Sequence, residues 1–296
     1  MTRVASLISN ILEYLVFLVF VLISRIVSFR NYQSIAKLIG LFFYYCIPIR
    51  KKVVRSNLQK AFPEKSAEEI EKIAKKNYIH FVTFFLEFLG LSSMKKSEIV
   101  NSVQTFDISF IKEKRKDGRA LFILTAHFGN WELGGILAGI LLNDPLSVLA
   151  KDQRNPFVTN WMNKTREKFG NKVISLGVSV RGIYQAVKDN LLIAIVGDQR
   201  GPNEGPRAFY FNQPTAVYTG TAAIALRTKT PIYIIFCFRD EKGLYKGIVE
   251  EINTTDLNGS QEEKELAVTQ EYLNILEKYV RQYPEQWFWM HNIWKY

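Results

Sequence analysis

Two cysteines and three histidines in 296 residues leave little room for several kinds of chemistry. A disulfide framework and a cysteine-based zinc site both need more thiols than Cys46 and Cys237 supply. Cys46 adjoins the aromatic run Leu41–Tyr45 and Cys237 lies in the apolar run Pro231–Phe238, so both read as reduced packing residues. His80, His127 and His291 are widely separated and no two share a ligand-like spacing, which argues against a metal centre. Acidic residues are also in deficit: 28 Asp and Glu face 39 Lys and Arg, a formal charge of +11. Such a surface attracts polyanions, whether nucleic acid, anionic lipid headgroups or an acidic carrier protein. No nucleic-acid recognition motif accompanies the charge, which leaves the other two classes. Repeats, low-complexity segments and long linkers are absent as well.

What the chain has is apolar surface. Nearly half of it is hydrophobic, with 21 Phe, 14 Tyr and 5 Trp, enough to offset the entropy of ordering and to exclude disorder. Leu7 to Ile23 is mostly apolar, interrupted by Ser9, Asn10 and Glu13. No small-residue cleavage site follows, which disfavours a signal peptide. A spanning helix needs roughly 20 apolar residues, reached here by including Glu13 or Arg25 near an end, where a long side chain can snorkel. One embedded N-terminal helix is expected over residues 1–30, and a buried core helix is the bland alternative. Arg25, Arg30, Lys37, Arg50, Lys51, Lys52 and Arg55 follow the segment and only Arg3 precedes it. The positive-inside tendency then puts the rest of the chain on the cytoplasmic side. Phe42–Tyr45 suggests a second surface at the lipid interface, where aromatic rings are favoured.

Residues 31–99 read as a helical lead-in. Helical periodicity covers 51–62 and 66–90, and Ser66 with Glu69 resembles a capping box. From about residue 100 the texture changes to alternation. Strand-like runs occur at Ala120–Leu124, Ser147–Leu149, Lys172–Ile174, Leu191–Val196, Pro231–Phe238 and Tyr245–Glu250. Helical patterns lie between them at Glu132–Leu142, Thr159–Phe169, Val180–Lys188 and Val217–Thr228, with another at 266–283. That order predicts an α/β core over 100–296, with a mixed, largely parallel central sheet flanked by helices. Residues 31–296 then form one catalytic domain.

The most informative stretch is Leu121-Phe-Ile-Leu-Thr-Ala-His127-Phe-Gly-Asn-Trp-Glu132. A strand runs into His127, Gly129 and Asn130 supply a turn, and Glu132 falls in the first turn of the next helix. On one continuous helix the two side chains would point about 140° apart. They meet only if His127 belongs to the preceding turn. In that geometry Glu132 accepts a hydrogen bond from one imidazole nitrogen and leaves the other as a base. The helix start adds unpaired N–H groups that suit an oxyanion or a phosphate. A base, a carboxylate and an anion site within six residues suit acyl transfer from a thioester to a substrate hydroxyl, with no protein nucleophile. A structural histidine beside a capping glutamate is the alternative.

The block His127-Phe-Gly-Asn-Trp-Glu132 resembles the His-x4-Asp/Glu motif of the bacterial lipid A late acyltransferases, the lauroyl and myristoyl transferases of lipopolysaccharide assembly. Asn155-Pro156 with Arg166 and Gly170 resembles the family's second block, and Gly197-Asp198-Gln199 with Gly205 and Phe211 the third. Tyr283-Pro-Glu-Gln-Trp287-Phe-Trp-Met-His291 resembles its closing motif, although an aromatic cap on the sheet would look the same. The resemblance spans nearly the whole chain. It implies a glycerolipid-acyltransferase-like fold and an inner-membrane enzyme with its catalytic domain on the cytoplasmic face. The implied donor is an acyl group on acyl carrier protein, with CoA as the other candidate carrier, and no cofactor or metal is implied. The acceptor is a hydroxyl of a phosphorylated, Kdo-bearing lipid A precursor. By the same resemblance His127 is the general base and Glu132 its orienting partner. Asn130, Lys151, Arg154, Arg166, Asp198 and Gln199 fall to substrate binding. Many relatives carry Arg where this chain has Lys151 and an acidic residue where it has Arg200. Lysine offers a point charge rather than a bidentate fork, so the phosphate contact falls to Lys151 or Arg154. The basic clusters Lys112–Arg119 and Lys164–Lys172 suit the carrier protein or the lipid, or are solvated faces. Two competing readings stand beside this one. The first is a lysophospholipid or phosphatidylinositol-mannoside-type acyltransferase with the same dyad. The second is a non-catalytic, membrane-tethered protein that binds anionic lipid.

Overall fold

A computed structural model describes residues 3–27, 31–175 and 180–296. The N-terminal apolar run forms helix α1 (Arg3–Ile26). Its stretch Ala5–Ile26 is long and apolar enough to cross a membrane, with a mean hydropathy of 2.3, and only 6% of it is buried. Most of its large side chains, Leu12, Val16 and Leu22 among them, face outward. The face that does pack uses rings: Tyr14 stacks on Phe157, and Phe17 meets Trp161 edge-on at 5.0 Å. Arg30 and the expected boundary after it lie outside the described residues.

Three helices build the lead-in, α2 (Tyr32–Cys46), α3 (Lys51–Ala61) and α4 (Ala67–Leu91), followed by the short α5 (Lys96–Asn101). The Ser66–Glu69 capping box opens α4 with both reciprocal bonds made. Phe42 and Tyr45 of α2 are exposed, beside Ile47 and Ile49. Cys46 is exposed too, so of the two free cysteines only Cys237 is a packing residue. Cys46 ends α2 on its outer side, so adjacency to an aromatic run did not imply burial.

The core follows as β1 (Val103–Phe106), α6 (Ser109–Arg115), β2 (Leu121–Thr125), α7 (Trp131–Leu142), β3 (Leu146–Ala150) and α8 (Pro156–Glu167). Next come β4 (Lys172–Ser175), α9 (Val180–Lys188), β5 (Leu192–Val196), β6 (Arg207–Tyr210), β7 (Gln213–Ala216) and α10 (Gly220–Thr228). The chain closes with β8 (Ile232–Arg239), β9 (Tyr245–Ile252), α11 (Gln261–Gln282) and a 3-10 turn at Pro284–Gln286. Seven strands form one sheet in the order β1-β9-β8-β2-β5-β3-β4, and β6 and β7 form a separate hairpin. Every neighbouring pair in the large sheet is parallel except β8 with β9. The mixed, largely parallel sheet is the one the alternation predicts.

Strand side chains alternate between faces, and the two faces bury separate cores. Leu121, Ile123, Leu192, Ala194 and Ile235 meet Ala138 of α7 on one side. Phe122, Leu124, Ile193 and Ile234 meet Ile224 of α10 and Leu276 of α11 on the other. All eight residues of β8 are buried, as expected where both faces are covered. The parallel strands β2, β5 and β3 thus end together at one edge, where ligands bind in open α/β sheets.

Candidate active site

His127 stands at that edge, two residues past the end of β2, with its side chain 24% exposed. Gly129 makes the turn behind it at φ +64°. A β-carbon there would lie 2.1 Å from the carbonyl oxygen of Cys237, so only glycine fits. Asn130 then caps α7, its Oδ1 accepting the Leu133 N–H at 3.0 Å. The Asn130 amide donates to Glu87 at 2.9 Å, inside a buried group that also contains Arg239 and Tyr245. Asn130 has no exposed surface and builds the turn, so its side chain is closed off from the substrate contact expected of it.

The carboxylate that meets the imidazole is Asp198, not Glu132. Nδ1 of His127 lies 2.7 Å from Asp198 Oδ1, and the His127 backbone N–H donates to Oδ2 at 2.9 Å. The indole Nε1 of Trp287 donates to the same Oδ2 at 2.8 Å. A carboxylate only accepts, so Nδ1 carries the proton and Nε2 is left as the basic nitrogen. No partner for Nε2 occurs among the described residues. Burial pulls the imidazole pKa down, but the Asp198 charge and hydrogen bond, with the Glu132 charge behind them, outweigh it and raise the value above the ordinary range. Asp198 is itself buried. Its desolvation is outweighed by His127, Trp287 and the backbone N–H, which hold its carboxyl below the usual value.

Glu132, in the first turn of α7, is gripped instead by Arg166 of α8. Nη2 donates to Oε1 at 2.6 Å and Nε to Oε2 at 3.0 Å, a bidentate pair with both side chains largely buried. The reason is geometric: the turn between them points Glu132 along α7 toward α8, while His127 points along the sheet edge toward the end of β5.

The closing motif is more than an aromatic cap. Besides the Trp287 indole, the Phe288 N–H donates to the His127 carbonyl and the Gln286 carbonyl accepts the Gly129 N–H, both at 3.0 Å. His291 Nε2 accepts the Arg200 N–H at 3.1 Å, which ties down the loop that carries Asp198. Trp131 and Phe288 flank the imidazole at 5.0 and 5.9 Å between ring centroids. In the sequence the closing motif reads either as a family block or as an aromatic cap on the sheet. The one available signal was that a buried indole N–H needs an acceptor.

A cavity of about 1090 Å³ opens at the sheet edge and is lined in part by His127, Glu132, Arg166, Lys151 and Gln199. Of the other expected contacts, Arg154 points away to Glu13 of α1 at 2.5 Å. Asn155 caps α8 and donates to the Asn10 carbonyl of α1 at 2.8 Å. Arg154 and Asn155 of the second block therefore fasten the N-terminal helix, while its Lys151 and Arg166 border the cavity.

The chain is similar in sequence to several acyltransferases. The lipid A biosynthesis palmitoleoyltransferase of Escherichia coli (strain K12) is 24% identical, over 83% of this chain and 79% of its own length. The lipid A biosynthesis lauroyltransferase of the same organism is 23% identical over the same shares. A phosphatidylinositol mannoside acyltransferase of Mycolicibacterium smegmatis is 18% identical, over 81% of this chain and 78% of its own length. The family model for bacterial lipid A biosynthesis acyltransferases matches residues 4–296, so the chain belongs to that family and is an O-acyltransferase.

Proposed function

We propose that the chain transfers an acyl group from acyl carrier protein to a hydroxyl of a Kdo-bearing lipid A precursor, with His127 as general base. The observation that supports this most is the Nδ1–Asp198 contact of 2.7 Å in a histidine that lines the large cavity. Nε2 takes the proton of the acceptor hydroxyl as its oxygen attacks the thioester carbonyl. The charge that develops on the carbonyl oxygen suits the first-turn N–H groups of Trp131 and Glu132, which helix geometry leaves without intrahelical partners. Collapse of the tetrahedral adduct breaks the C–S bond, and the imidazolium returns its proton to the departing thiolate. Asp198 stabilises the imidazolium in between. Glu132 holds Arg166 at the cavity wall, and Lys151 supplies a cation for an anionic acceptor. No cofactor is needed, because the thioester brings its own activation.

The site is read as facing the cytoplasm from a bacterial inner membrane, on the strength of the apolar α1 and the cations that follow it. The test is product mass in detergent for wild type and His127→Ala, with carrier-protein and CoA donors and with lipid A precursor, lysophospholipid and glycolipid acceptors. One added acyl group on the lipid A precursor, lost in the variant, is expected. Transfer only to a mannoside glycolipid would move the acceptor assignment toward the mycobacterial relative, and transfer only to lysophospholipid toward a lysophospholipid acyltransferase. Undiminished transfer by His127→Ala would overturn the mechanism.

A further inference from the structure

The cavity is lined from both faces of the sheet, and each face bounds one lobe. Val148 and Ala194 belong to the α7 face, and Leu149 and Ile195 to the opposite one. The lobes differ in chemistry. On the α7 side the lining runs from Glu132 past Gly135 and Ile136 to buried Asn171, which bridges the Gly135 carbonyl at 3.1 Å and the Leu146 N–H at 3.0 Å. The Glu132–Arg166 pair occupies its wall. That lobe carries an ion pair at its mouth and a polar amide at its end.

On the other side Gly220, Ala223, Ile224 and Arg227 line the cavity along one face of α10. The seven helical steps from Gly220 to Arg227 span about 10 Å. The direction of that run is fixed by the strand that follows: β8 is parallel to β2, with Ile232 beside Phe122 at the start of both. Helix α10 therefore descends from the His127 edge toward the opposite end of the sheet. Ile183, Ile195 and Leu149 supply apolar walls, and Arg227 stands at the far end on the surface. This lobe is long, apolar and ended by a charge.

We propose that the transferred acyl chain lies along α10 rather than along α7, and that Ala223 and Arg227 set the chain length accepted. The proposal rests on the acyl-transfer reading above. The α7 lobe, with its ion pair and buried amide, takes the acceptor hydroxyl and the polar atoms next to it. Methylenes that cannot be buried before Arg227 each forgo about fourfold in binding. A bulkier residue at 223 removes room for roughly two of them.

The test compares kcat/KM of the full-length protein for carrier-protein donors that differ by two carbons, on one lipid A precursor. Ala223→Leu is expected to lower transfer of the longest accepted chain by about fifteenfold while a chain two carbons shorter is barely affected. Arg227→Ala, on an exposed position that does not threaten folding, is expected to admit a longer chain. Gly135→Ala adds a methyl group to the α7 lobe, where nothing lies within 4 Å of it. It is expected to slow all donors alike. A donor order changed by Gly135→Ala, and unchanged by both Ala223→Leu and Arg227→Ala, would overturn the assignment of lobes. Failure of the wild type to transfer any chain would instead refute the acyl-transfer reading, and the lobe assignment would fall with it.

Discussion

On the proposed mechanism, replacing Asp198 by asparagine changes one atom and reverses the role of the histidine. Two N–H groups, from the His127 backbone and the Trp287 indole, converge on Oδ2 and require an acceptor there. The oxygen of the introduced amide must take that place, which turns its NH₂ toward Nδ1. Nδ1 then becomes an acceptor, the ring proton moves to Nε2, and the base is lost. Positioned general bases contribute about 10²–10⁴-fold, and an Asp-to-Asn change that traps the wrong tautomer reaches about 10⁴ in the serine-protease triad. A fall in kcat of that order is expected for Asp198→Asn, with little change in KM.

The pH profile gives a second readout. In the wild type the raised imidazole pKa places the acid limb of kcat/KM above the ordinary histidine value of about 6.5. With the carboxylate removed, burial dominates, and the limb is expected to move to lower pH. Stability responds in two windows. The contribution of the raised His127 is complete below about pH 6.5 and is lost as pH rises through its folded pKa. That of the depressed Asp198 is present above about pH 3.9 and is lost as pH falls through its folded pKa. Stopped assays across pH 5–9, with thermal melts of the same samples, would measure both. Near-normal kcat and an unmoved acid limb in Asp198→Asn, together with a tautomer-like collapse in Glu132→Gln, would refute the assignment of Asp198.

Two further outcomes are expected. Asn130→Ala removes a helix cap worth about 1 kcal/mol and leaves buried Glu87 short of a donor, for a further cost of about 1–3 kcal/mol. A denaturant midpoint that barely moves would contradict the reading of Asn130 as the support of the turn. Lys151→Ala is expected to raise KM for a phosphorylated acceptor by about tenfold, the lower end of what a charged hydrogen bond supplies. Arg154→Ala is expected to change it far less, because that side chain pairs with Glu13 outside the cavity, and steady-state kinetics on one acceptor would separate the two.

The architecture was legible where local patterns suffice. The strand, turn and helix around His127, the Ser66 capping box and the parallel alternation all rest on contacts within a few residues. The hairpin of β6 and β7 was not legible. Its two-residue loop puts Phe211 and Asn212 at φ +52° and +56°, a turn usually marked by Asn-Gly rather than Phe-Asn. The partner of the histidine escaped for a different reason. A carboxylate five positions away looks better placed than one 71 positions away, until the turn directs Glu132 to Arg166. Helical angles limit which neighbours can meet, but they do not reveal which distant strand end arrives beside them. Family resemblance named Asp198 and Trp287 as parts of motifs without saying that they join.

The contacts that hold His127 also determine when the enzyme becomes competent. Its imidazole is ordered from the end of β5, and its backbone from the turn beyond α11. Contacts of long sequence separation close late in folding, after the loop-closure entropy has been met. The strand and helix around His127 can form early, yet the ring stays free to adopt either tautomer until Trp287 and Asp198 dock together. On the proposed mechanism, a partly folded chain in which β5 has yet to dock beside β2 would therefore carry no armed base. Chemistry would begin only once the whole domain had closed.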